Sequence, residues 1–339
     1  MTDIDRIRCA LSFVSPDSRE TWVAMGMAVK AELGATGFDV WDGWSQASDR
    51  YQAAAAKAVW KSFKPGKVGI GSLFHEARRG GWREETPYVP PSHAVLEQRR
   101  RVRAAELARE ASVRNRLADT AAARAAALWA GASASGSSPY LVRKGVEGES
   151  LRYLDDGGLV VPMIRYGEES TLVGAQVIAA DGNKRFLTGT AKQGSACRLG
   201  LVVVGAPVLV CEGLATGLTI RAATGRRFPV FVAFDAGNLL PVAALLRGLC
   251  PDSPLLVCAD DDWQTQGNPG RSKARAVTRA VSAAHHVYPV FSGDRGGRMT
   301  DFNDLQVAEG LDAVARQLAA PLAYLGRLVL KPRKVTRAA

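Results

Sequence analysis

The sequence predicts a multidomain protein of the α and α/β class, in which a small helical domain precedes a long helical connector, a mixed α+β segment and a parallel-sheet domain. Three observations support this prediction. Amphipathic, tryptophan-rich segments fill residues 1–82, a stretch without glycine or proline covers residues 95–130, and short apolar runs alternate with helical segments after residue 207. A chain of 339 residues has room for two or three domains of roughly 150 residues each.

The composition is that of a globular protein with a basic surplus. Apolar residues make up 47% of the chain and charged residues 23%, which excludes wholesale disorder. The net charge of +11 favours a polyanionic partner such as nucleic acid. No run approaches the roughly 18 apolar residues that span a bilayer, and the first residues lack the apolar core of a signal peptide. We therefore expect a cytoplasmic protein without a membrane partner.

The cysteines argue against a metal-binding or disulfide framework. The five cysteines stand singly, and none forms a C-x-x-C pair. The sequence therefore predicts no zinc site. Cys211 and Cys258 lie inside apolar runs and are expected to be small core residues.

Residues 1–82 are predicted to form short amphipathic helices around a small core. Trp22, Met25 and Val29 recur at helical spacing, and Gly34 marks the expected end of that helix. The other predicted helices cover residues 38–44, 51–60 and 70–79.

Residues 83–138 form the predicted connector. Its part from residue 95 to residue 130 predicts one long polar helix or a broken pair of helices. Eight arginines and four acids give this part a net charge of +4, which fits either a solvated helix or contacts with phosphate. The segment GASASGSS at residues 131–138 predicts a flexible loop that ends the connector.

Beyond the connector the pattern changes to strands. In residues 139–206, the runs LVVPMIRYG, STLVGAQVIAADG and KRFLTG predict an antiparallel meander. In residues 207–320, the apolar runs VLVCEG, PVFVAFDAGN and PLLVCADDD alternate with helical segments, which predicts a parallel sheet covered on both faces. We expect the last helix of this alternation in SKARAVTRAVSAA, a final strand in VYPVFSG, and a basic tail over residues 321–339.

Acidic residues stand where the predicted parallel strands end. Glu212 closes one strand, Asp235 closes the next, and Asp260, Asp261 and Asp262 close a third. The carboxyl ends of parallel strands share one edge of the sheet, where ligands bind, so these acids are expected to meet there. Carboxylates held close together repel each other unless a cation compensates them, and Mg²⁺ binds through a few carboxylates while it keeps waters and substrate phosphates. The set predicts a metal site at this edge.

These residues also carry a family resemblance. VLVCEGLATGLT, followed by CADDD, resembles the toprim domain, and VAFDAGNL and MTDFNDL are similar to segments of toprim primases encoded by plasmids, phages and integrative elements. SPYLVRKGV and the meander resemble the basic subdomain that precedes toprim in those primases. SRETWVAMGMAVK, WDGWSQ and GIGSLFHEA resemble the helical primase C-terminal type 2 domain, here placed first.

The resemblance implies roles for the acids. It makes Glu212 the toprim glutamate, which is a metal ligand or the acid/base group at the primer 3′-hydroxyl. It makes Asp260 and Asp262 the pair that binds Mg²⁺ or Mn²⁺. Three consecutive aspartates leave the register open by one residue, so Asp261 is also a candidate ligand.

Basic and polar residues around the acids are further candidates. Lys184 and Arg185 occupy the place where related primases carry basic residues near the nucleotide and template, Arg143 and Lys144 lie at the entrance to the meander, and Lys273 follows a turn whose backbone N–H groups suit phosphate. For each of these a solvated position is the alternative. Another set recurs in the resembling primases and either supports the metal ligands from behind or forms turns: Asp235, Asn238, Asp301, Asn303 and Asp304.

The resemblance implies a DNA-dependent primase of a mobile element or phage. Such an enzyme joins NTPs into a short RNA primer on a single-stranded DNA template, and metal ions and acids do most of the chemistry. The chain lacks both the cysteines of a zinc ribbon and a Gly-x-x-x-x-Gly-Lys-Ser/Thr loop, so we expect template choice in the helical domain or in another protein, and a separate replicative helicase as partner. The alternatives are a toprim nuclease or other toprim DNA-processing enzyme, and a non-catalytic factor that binds or loads single-stranded DNA.

Overall fold

The computed structural model describes residues 3–63, 66, 68–84, 92–295 and 299–329. The chain forms two compact units that divide between Arg109 and Glu110, inside the predicted connector. In the described ranges, none of the helices combines the length and the apolar character that crossing a bilayer requires.

The first unit is helical, as the sequence predicts. Ser18 caps the second helix, because its side chain accepts the backbone N–H of Thr21, and Gly34 ends that helix with φ at +64°. The helices are α1 (Asp3–Leu11), α2 (Arg19–Leu33), α3 (Phe38–Ser45), α4 (Ala53–Ser62) and α5 (Ile70–Arg79).

Trp41 is the centre of this unit's core. Its side chain has no exposed area, and its ring lies 4.6 Å from that of Trp22 and 5.4 Å from that of Trp60, measured between centroids. Its indole N–H donates to the carbonyl oxygen of Trp22 at 3.0 Å. The tryptophans of the first 82 residues therefore act as packing residues that hold the helices together.

We predict that Trp41→Ala lowers the free energy of unfolding of this unit by about 3–5 kcal/mol, because a large buried ring leaves a cavity. Chemical denaturation followed by circular dichroism measures the change. Phe13→Ala is the control, since Phe13 is 44% exposed and its truncation should change the free energy by less than about 0.5 kcal/mol. Equal losses in the two variants would contradict the central role of Trp41.

A single helix, α6 (His93–Gly131), spans the division between the units. Of the two predicted alternatives, the unbroken helix is therefore the observed one. Near its start the Arg103 guanidinium donates to the carbonyl oxygen of Ala31 in the first unit. Near its end Ala125 packs in a small apolar cluster with Val160 and Ala175 of the following sheet.

The second unit contains the predicted antiparallel meander. After α7 (Pro139–Lys144), four strands pair in sequence order. They are β1 (Arg152–Tyr153), β2 (Leu159–Arg165), β3 (Thr171–Ile178) and β4 (Lys184–Phe186).

A five-stranded sheet follows, with strand order β5-β7-β6-β8-β9. Neighbouring strands run parallel except β5, which is antiparallel to β7. The strands are β5 (Cys197–Leu199), β6 (Val208–Cys211), β7 (Val230–Val232), β8 (Leu255–Cys258) and β9 (Ala284–Val287).

Helices cover both faces of this sheet, which explains why its central strands are continuously apolar. One face packs against α8 (Leu214–Ala223), α11 (Phe302–Glu309) and α12 (Leu311–Val329). The other face packs against α9 (Leu239–Leu249) and α10 (Pro269–Ala280). Cys211 and Cys258 are fully buried between these layers.

Three details differ from the sequence prediction. Strand β5 comes from the predicted segment 139–206 but pairs in the five-stranded sheet. The last strand is Ala284–Val287 rather than VYPVFSG, since Pro289 lacks an N–H for a ladder and Ala283, at φ +52°, turns the chain four residues earlier than expected. Residues 321–329 of the predicted tail continue α12, because Leu322 and Leu325 are buried in the core; residues 330–339 lie outside the described part.

Candidate active site

The acids gather at the carboxyl edge of the sheet. Cys211 pairs with Cys258 and with Val232 in parallel register, so the residues that follow these three strands leave the sheet side by side. Glu212 comes directly after β6, and Asp260 comes two residues after the end of β8. These two strands are neighbours in the sheet. This placement is what the strand pattern predicts for a parallel sheet.

The carboxylates of this edge perturb each other. Burial, followed by the charges of Asp262 and Asp235, raises the pKa of Glu212 to about 7. Burial, followed by the charges of Glu212 and Asp301, raises the pKa of Asp260 well above its usual range. Burial and then the charge of Asp304 also raise the pKa of Asp301. These side chains are therefore within electrostatic reach of one another.

The two central acids carry unsatisfied oxygens. Glu212 Oε1 and Asp260 Oδ1 are buried and accept no hydrogen bond from any described residue. An orphaned buried oxygen costs free energy, and a carboxylate oxygen without a donor is a ready ligand for a hard cation. The donor chemistry of this edge therefore fits Mg²⁺ or Mn²⁺. In the described ranges, no three His, Cys, Asp or Glu side chains already form a group able to hold a metal ion.

Unlike Glu212 and Asp260, Asp261 is held by basic and amide side chains. It is 4% exposed, and its carboxylate accepts from Arg295 at 2.7 Å, from Arg271 at 3.3 Å and from the Asn268 amide at 2.6 Å. Burial alone would raise the pKa of Asp261, but these hydrogen bonds and the two guanidinium charges outweigh it and lower the pKa. All of the described contacts of Asp261 thus anchor the loop after β8, which leaves Asp260 and Asp262 beside Glu212.

We predict that Asp261→Ala destabilises the second unit by about 2–3 kcal/mol. Removal of one partner from a buried ion pair costs roughly 3–5 kcal/mol, and the loss is smaller here because Arg271 and Arg295 keep some solvent contact. Urea denaturation measures the loss. Asp252→Ala, in the exposed turn before β8, is the matched control; equal stability of the two variants would show that Asp261 is no anchor.

Asp262 and Asn268 hold the first turn of α10, the helix that follows the acids. The Asp262 carboxylate accepts the backbone N–H of Gly270 at 2.9 Å, and the Asn268 side chain accepts that of Arg271 at 3.3 Å. A Cβ at position 270 would collide with the carbonyl oxygen of Asp260, so glycine permits the close approach of α10 to the strand end. The backbone N–H groups of Gly270 and Arg271, which the sequence suggested as phosphate donors, therefore already donate to side chains of this loop. Lys273 lies exposed near the start of the helix.

Asp235 and Asn238 organise the loop between β4 and β5. The Asn238 amide is buried; it accepts the backbone N–H of Gly194 at 2.8 Å and donates to the carbonyl oxygen of Ser195 at 2.9 Å. Asp235 accepts the backbone N–H of Asn238 and forms an ion pair with Lys192. The two predicted supporting residues thus bring the loop and its lysine to the acidic edge.

Lys192 is a residue that the sequence analysis missed. Its ammonium pairs with Asp235 and lies 5.2 Å from the centroid of the Phe186 ring. Asp235 is also one of the charges that raise the pKa of Glu212, so this lysine stands near the acids. In the sequence, Lys192 is a single lysine in the segment TGTAKQG between glycines. Nothing in that segment indicates that its partner is Asp235, 43 residues further along the chain.

The start of α11 also contributes residues to the acidic edge of the sheet. Asp301 and Asp304 form a capping box, and Asp301 also accepts the hydroxyl of Thr216 at 2.9 Å. The buried Asn303 amide donates to the carbonyl oxygen of Lys144 at 2.7 Å. The Lys144 ammonium lies 3.7 Å from the Asp304 carboxylate. These contacts fix the end of α7 beside the acids.

The other predicted basic residues lie on the meander side. Lys184 is exposed on β4, yet desolvation of its ammonium lowers its pKa, and the charges of Asp301 and Asp260 oppose this effect. Its ammonium is therefore within electrostatic reach of the acids. Its ammonium is 5.8 Å from the centroid of the Tyr140 ring. Arg143 donates to the carbonyl oxygen of Ala180 at 2.7 Å and remains exposed, as does Arg185 on β4. Of these residues, Lys184 is the one that the structure ties directly to the acid set.

We predict a pH-dependent stability from Glu212 in protein treated with EDTA. The pKa of its carboxyl is about 7 when folded against an ordinary 4.5, so the folded state holds the proton more tightly. The contribution of Glu212 is present at low pH and is lost as pH rises through about 7. Urea midpoints at about pH 5 and about pH 8 for the wild type and for Glu212→Gln test this.

The expected result is that Glu212→Gln gains stability relative to the wild type as pH rises. Asp252→Asn is the control, because its carboxylate is exposed, and it should follow the wild type. If the wild type and Glu212→Gln change in parallel between the two pH values, the carboxyl of Glu212 is not perturbed as described.

Two segments of the chain match known protein families. Residues 7–77 match the family Primase C terminal 2 (PriCT-2), and residues 207–312 match the Toprim domain family. Two curated proteins named DNA primase TraC from Escherichia coli are 36% and 35% identical over 161 residues. That stretch covers 45% of this chain but only 15% and 11% of the two relatives. The matches confirm the resemblance to toprim primases.

Solved structures give weaker similarities. The primase fragment of the bacteriophage T7 primase-helicase protein aligns with a TM-score of 0.42 at 17% identity, over 54% of this chain and 74% of that one. The RNA polymerase domain of Mycobacterium tuberculosis primase DnaG aligns with a TM-score of 0.34 at 19% identity, over 63% of this chain and 80% of that one.

Proposed function

We propose that this chain, which contains a toprim domain and a Primase C terminal 2 region, is a DNA primase that makes short RNA primers on single-stranded DNA by metal-dependent nucleotidyl transfer. The observation that carries the proposal is the set of mutually perturbed carboxylates at one sheet edge, with buried oxygens of Glu212 and Asp260 that accept no hydrogen bond from the described residues. The similarity to DNA primase TraC supports the same reaction.

We assign Asp260 and Asp262 to the cation, and Glu212 to one of two roles. Asp260 and Asp262 would hold Mg²⁺ or Mn²⁺, and Glu212 either adds a further oxygen or accepts the proton of the attacking 3′-hydroxyl. When bound, the cation lowers the pKa of the attacking oxygen and neutralises charge on the transferring phosphate. Asp261 keeps the loop in place and takes no part in this chemistry, given its ion pairs with Arg271 and Arg295.

Basic side chains near the acids would bind the phosphates of NTPs and template. Lys184 and Lys192 are the first candidates, because the electrostatic environment of each includes acids of the edge. Arg185, Arg143, Lys144 and Lys273 would extend this positive surface. Their role is to attract and orient phosphate, which the carboxylates alone would repel.

We also propose a biological setting, which rests on the resemblance to primases of plasmids, phages and integrative elements. The chain would act in replication of a mobile element or phage, inside the cytoplasm, with a separate replicative helicase to open the duplex. The helical unit would contribute to template recognition. Its tryptophans are packed in the core, so template contacts would come from its polar surface.

The deciding experiment incubates the protein with single-stranded DNA, labelled NTPs and Mg²⁺ or Mn²⁺. We expect metal-dependent oligoribonucleotides, and a loss of at least about 100-fold in rate for Asp260→Ala and Glu212→Ala, because each removes a group that acts on charge developing in the transition state. The control is Asp252→Asn in the turn before β8, which should keep the wild-type rate.

Absence of oligoribonucleotides on every template, or full synthesis by both acid variants, would contradict the proposal. A nicking assay on plasmid DNA with the same metals tests the nuclease alternative, because the same carboxylates suit phosphodiester hydrolysis. DNA binding that depends strongly on salt, is indifferent to Mg²⁺ and is accompanied by neither activity would instead favour a non-catalytic binding factor.

A further inference from the structure

Trp263 is an exposed aromatic residue immediately after the acid pair. Its side chain is 46% exposed, although it follows Asp262 directly in the chain. Indole is the largest apolar side chain, and burial of such a ring usually contributes strongly to stability. An exposed tryptophan next to the candidate catalytic acids is therefore a candidate for binding a ligand.

Other tryptophans of the chain have partners. The rings of Trp22, Trp41 and Trp60 stack in the core of the helical unit, and Trp82 stacks on Phe74. The N–H of Trp44 donates to a backbone carbonyl, and Trp129 lies under the guanidinium of Arg152. Trp263 has neither a ring contact nor a hydrogen bond from its indole N–H to any residue in the described part of the chain.

The loop that carries Trp263 is held by its own hydrogen bonds. The backbone N–H of Trp263 donates to the carbonyl oxygen of Asp261, and that of Thr265 donates to the carbonyl oxygen of Asp262, at 2.7 and 2.8 Å. The Asn268 side chain closes the loop: it accepts the N–H of Asp262 at 3.0 Å and donates to Asp261 at 2.6 Å. The buried ion pairs of Asp261 anchor this loop to the domain. The backbone of Trp263 is therefore positioned before any ligand arrives, which lowers the ordering cost of binding.

The surroundings of Trp263 indicate what kind of ligand it takes. The residues between it and Asn268 are Gln264, Thr265, Gln266 and Gly267, which are exposed and carry no charge. The carboxylates on its other side repel phosphate. A neutral planar group attracted by the face of the indole avoids that repulsion, and amide side chains suit the polar edges of such a group.

We propose that Trp263 is a base-stacking residue, whose indole receives a nucleobase of the single-stranded template or of an incoming nucleotide at the acidic edge. This inference rests on the proposed function, because it deepens the use of the same site. Every base offers a π face, so the contact would contribute affinity without sequence preference. The base comes either from the DNA strand or from a free NTP, and binding measurements separate these two sources.

The experiment compares the full-length wild type with Trp263→Ala and Trp263→Phe. Each protein is titrated with an oligothymidylate, with an abasic oligomer of the same length and with ATP, all with Mg²⁺. We expect Trp263→Ala to weaken binding of the base-bearing ligand about 5- to 150-fold, which corresponds to about 1–3 kcal/mol of stacking at 1.4 kcal/mol per tenfold. Trp263→Phe should keep most of the affinity, since it retains an aromatic face.

The abasic oligomer should bind the wild type and Trp263→Ala equally, because it has phosphates but no bases. Wild-type tryptophan fluorescence should also be quenched by the base-bearing ligand, and Trp263→Phe should lack that quenching. The matched control is Phe13→Ala, an exposed aromatic truncation in the helical unit, with no expected effect. Thermal melting of each variant verifies folding, and Trp263→Phe keeps the test decisive if the alanine variant unfolds.

Loss of oligothymidylate binding alone assigns the base to the template, and loss of ATP binding alone assigns it to the incoming nucleotide. Unchanged binding of both, or equal weakening of the abasic oligomer, overturns the inference. These measurements need no catalysis. Base-dependent binding through Trp263 without primer synthesis would reject the primase proposal alone, whereas primer synthesis with unchanged binding by Trp263→Ala would reject the stacking role alone.

Discussion

Repulsion among carboxylates at one sheet edge is the constraint around which the second unit is organised. Several acids follow the ends of adjacent strands and lie within electrostatic reach of one another. Basic side chains around them neutralise some of these acids. The neutralised acids and their partners are Asp261 with Arg271 and Arg295, Asp235 with Lys192, and Asp304 with Lys144. Glu212 and Asp260 form no ion pair with a basic side chain among the described residues, and this difference distinguishes the centre of the site from its supports.

The position of the acids was predictable because it follows from topology alone. Continuous apolar runs predict parallel strands covered on both faces, and parallel strands bring their carboxyl ends to one edge. A residue such as Glu212, directly after such a run, must lie at that edge regardless of the conformation of the loops. The helical first unit was predictable for a similar local reason, since apolar residues such as Trp22, Met25 and Val29 recur at helical spacing. The comparisons confirm both domain families.

The division of labour within the acidic triplet was not predictable, because it depends on distant side chains. Asp261 is selected as an anchor by Arg295, which lies 34 residues further along the chain. Lys192 was missed for the same reason, as three strands and a helix separate it along the chain from its partner Asp235. The exposed indole of Trp263 has no periodic neighbours that would reveal it. Sequence spacing reports on one element at a time, whereas these roles arise from contacts between elements.

The buried sheet explains how two unsatisfied carboxylates can persist in a stable domain. Strands β6 and β8 are completely buried between two helical layers, and Gly270 lets α10 pack directly against the end of β8. That packing fixes Glu212 and Asp260 where solvent cannot fully hydrate them, so their charge must be balanced locally. A proton does this below about pH 7, given the raised pKa of Glu212. Above it a cation would serve, and because such a cation binds only the folded state, it would also stabilise the domain by mass action.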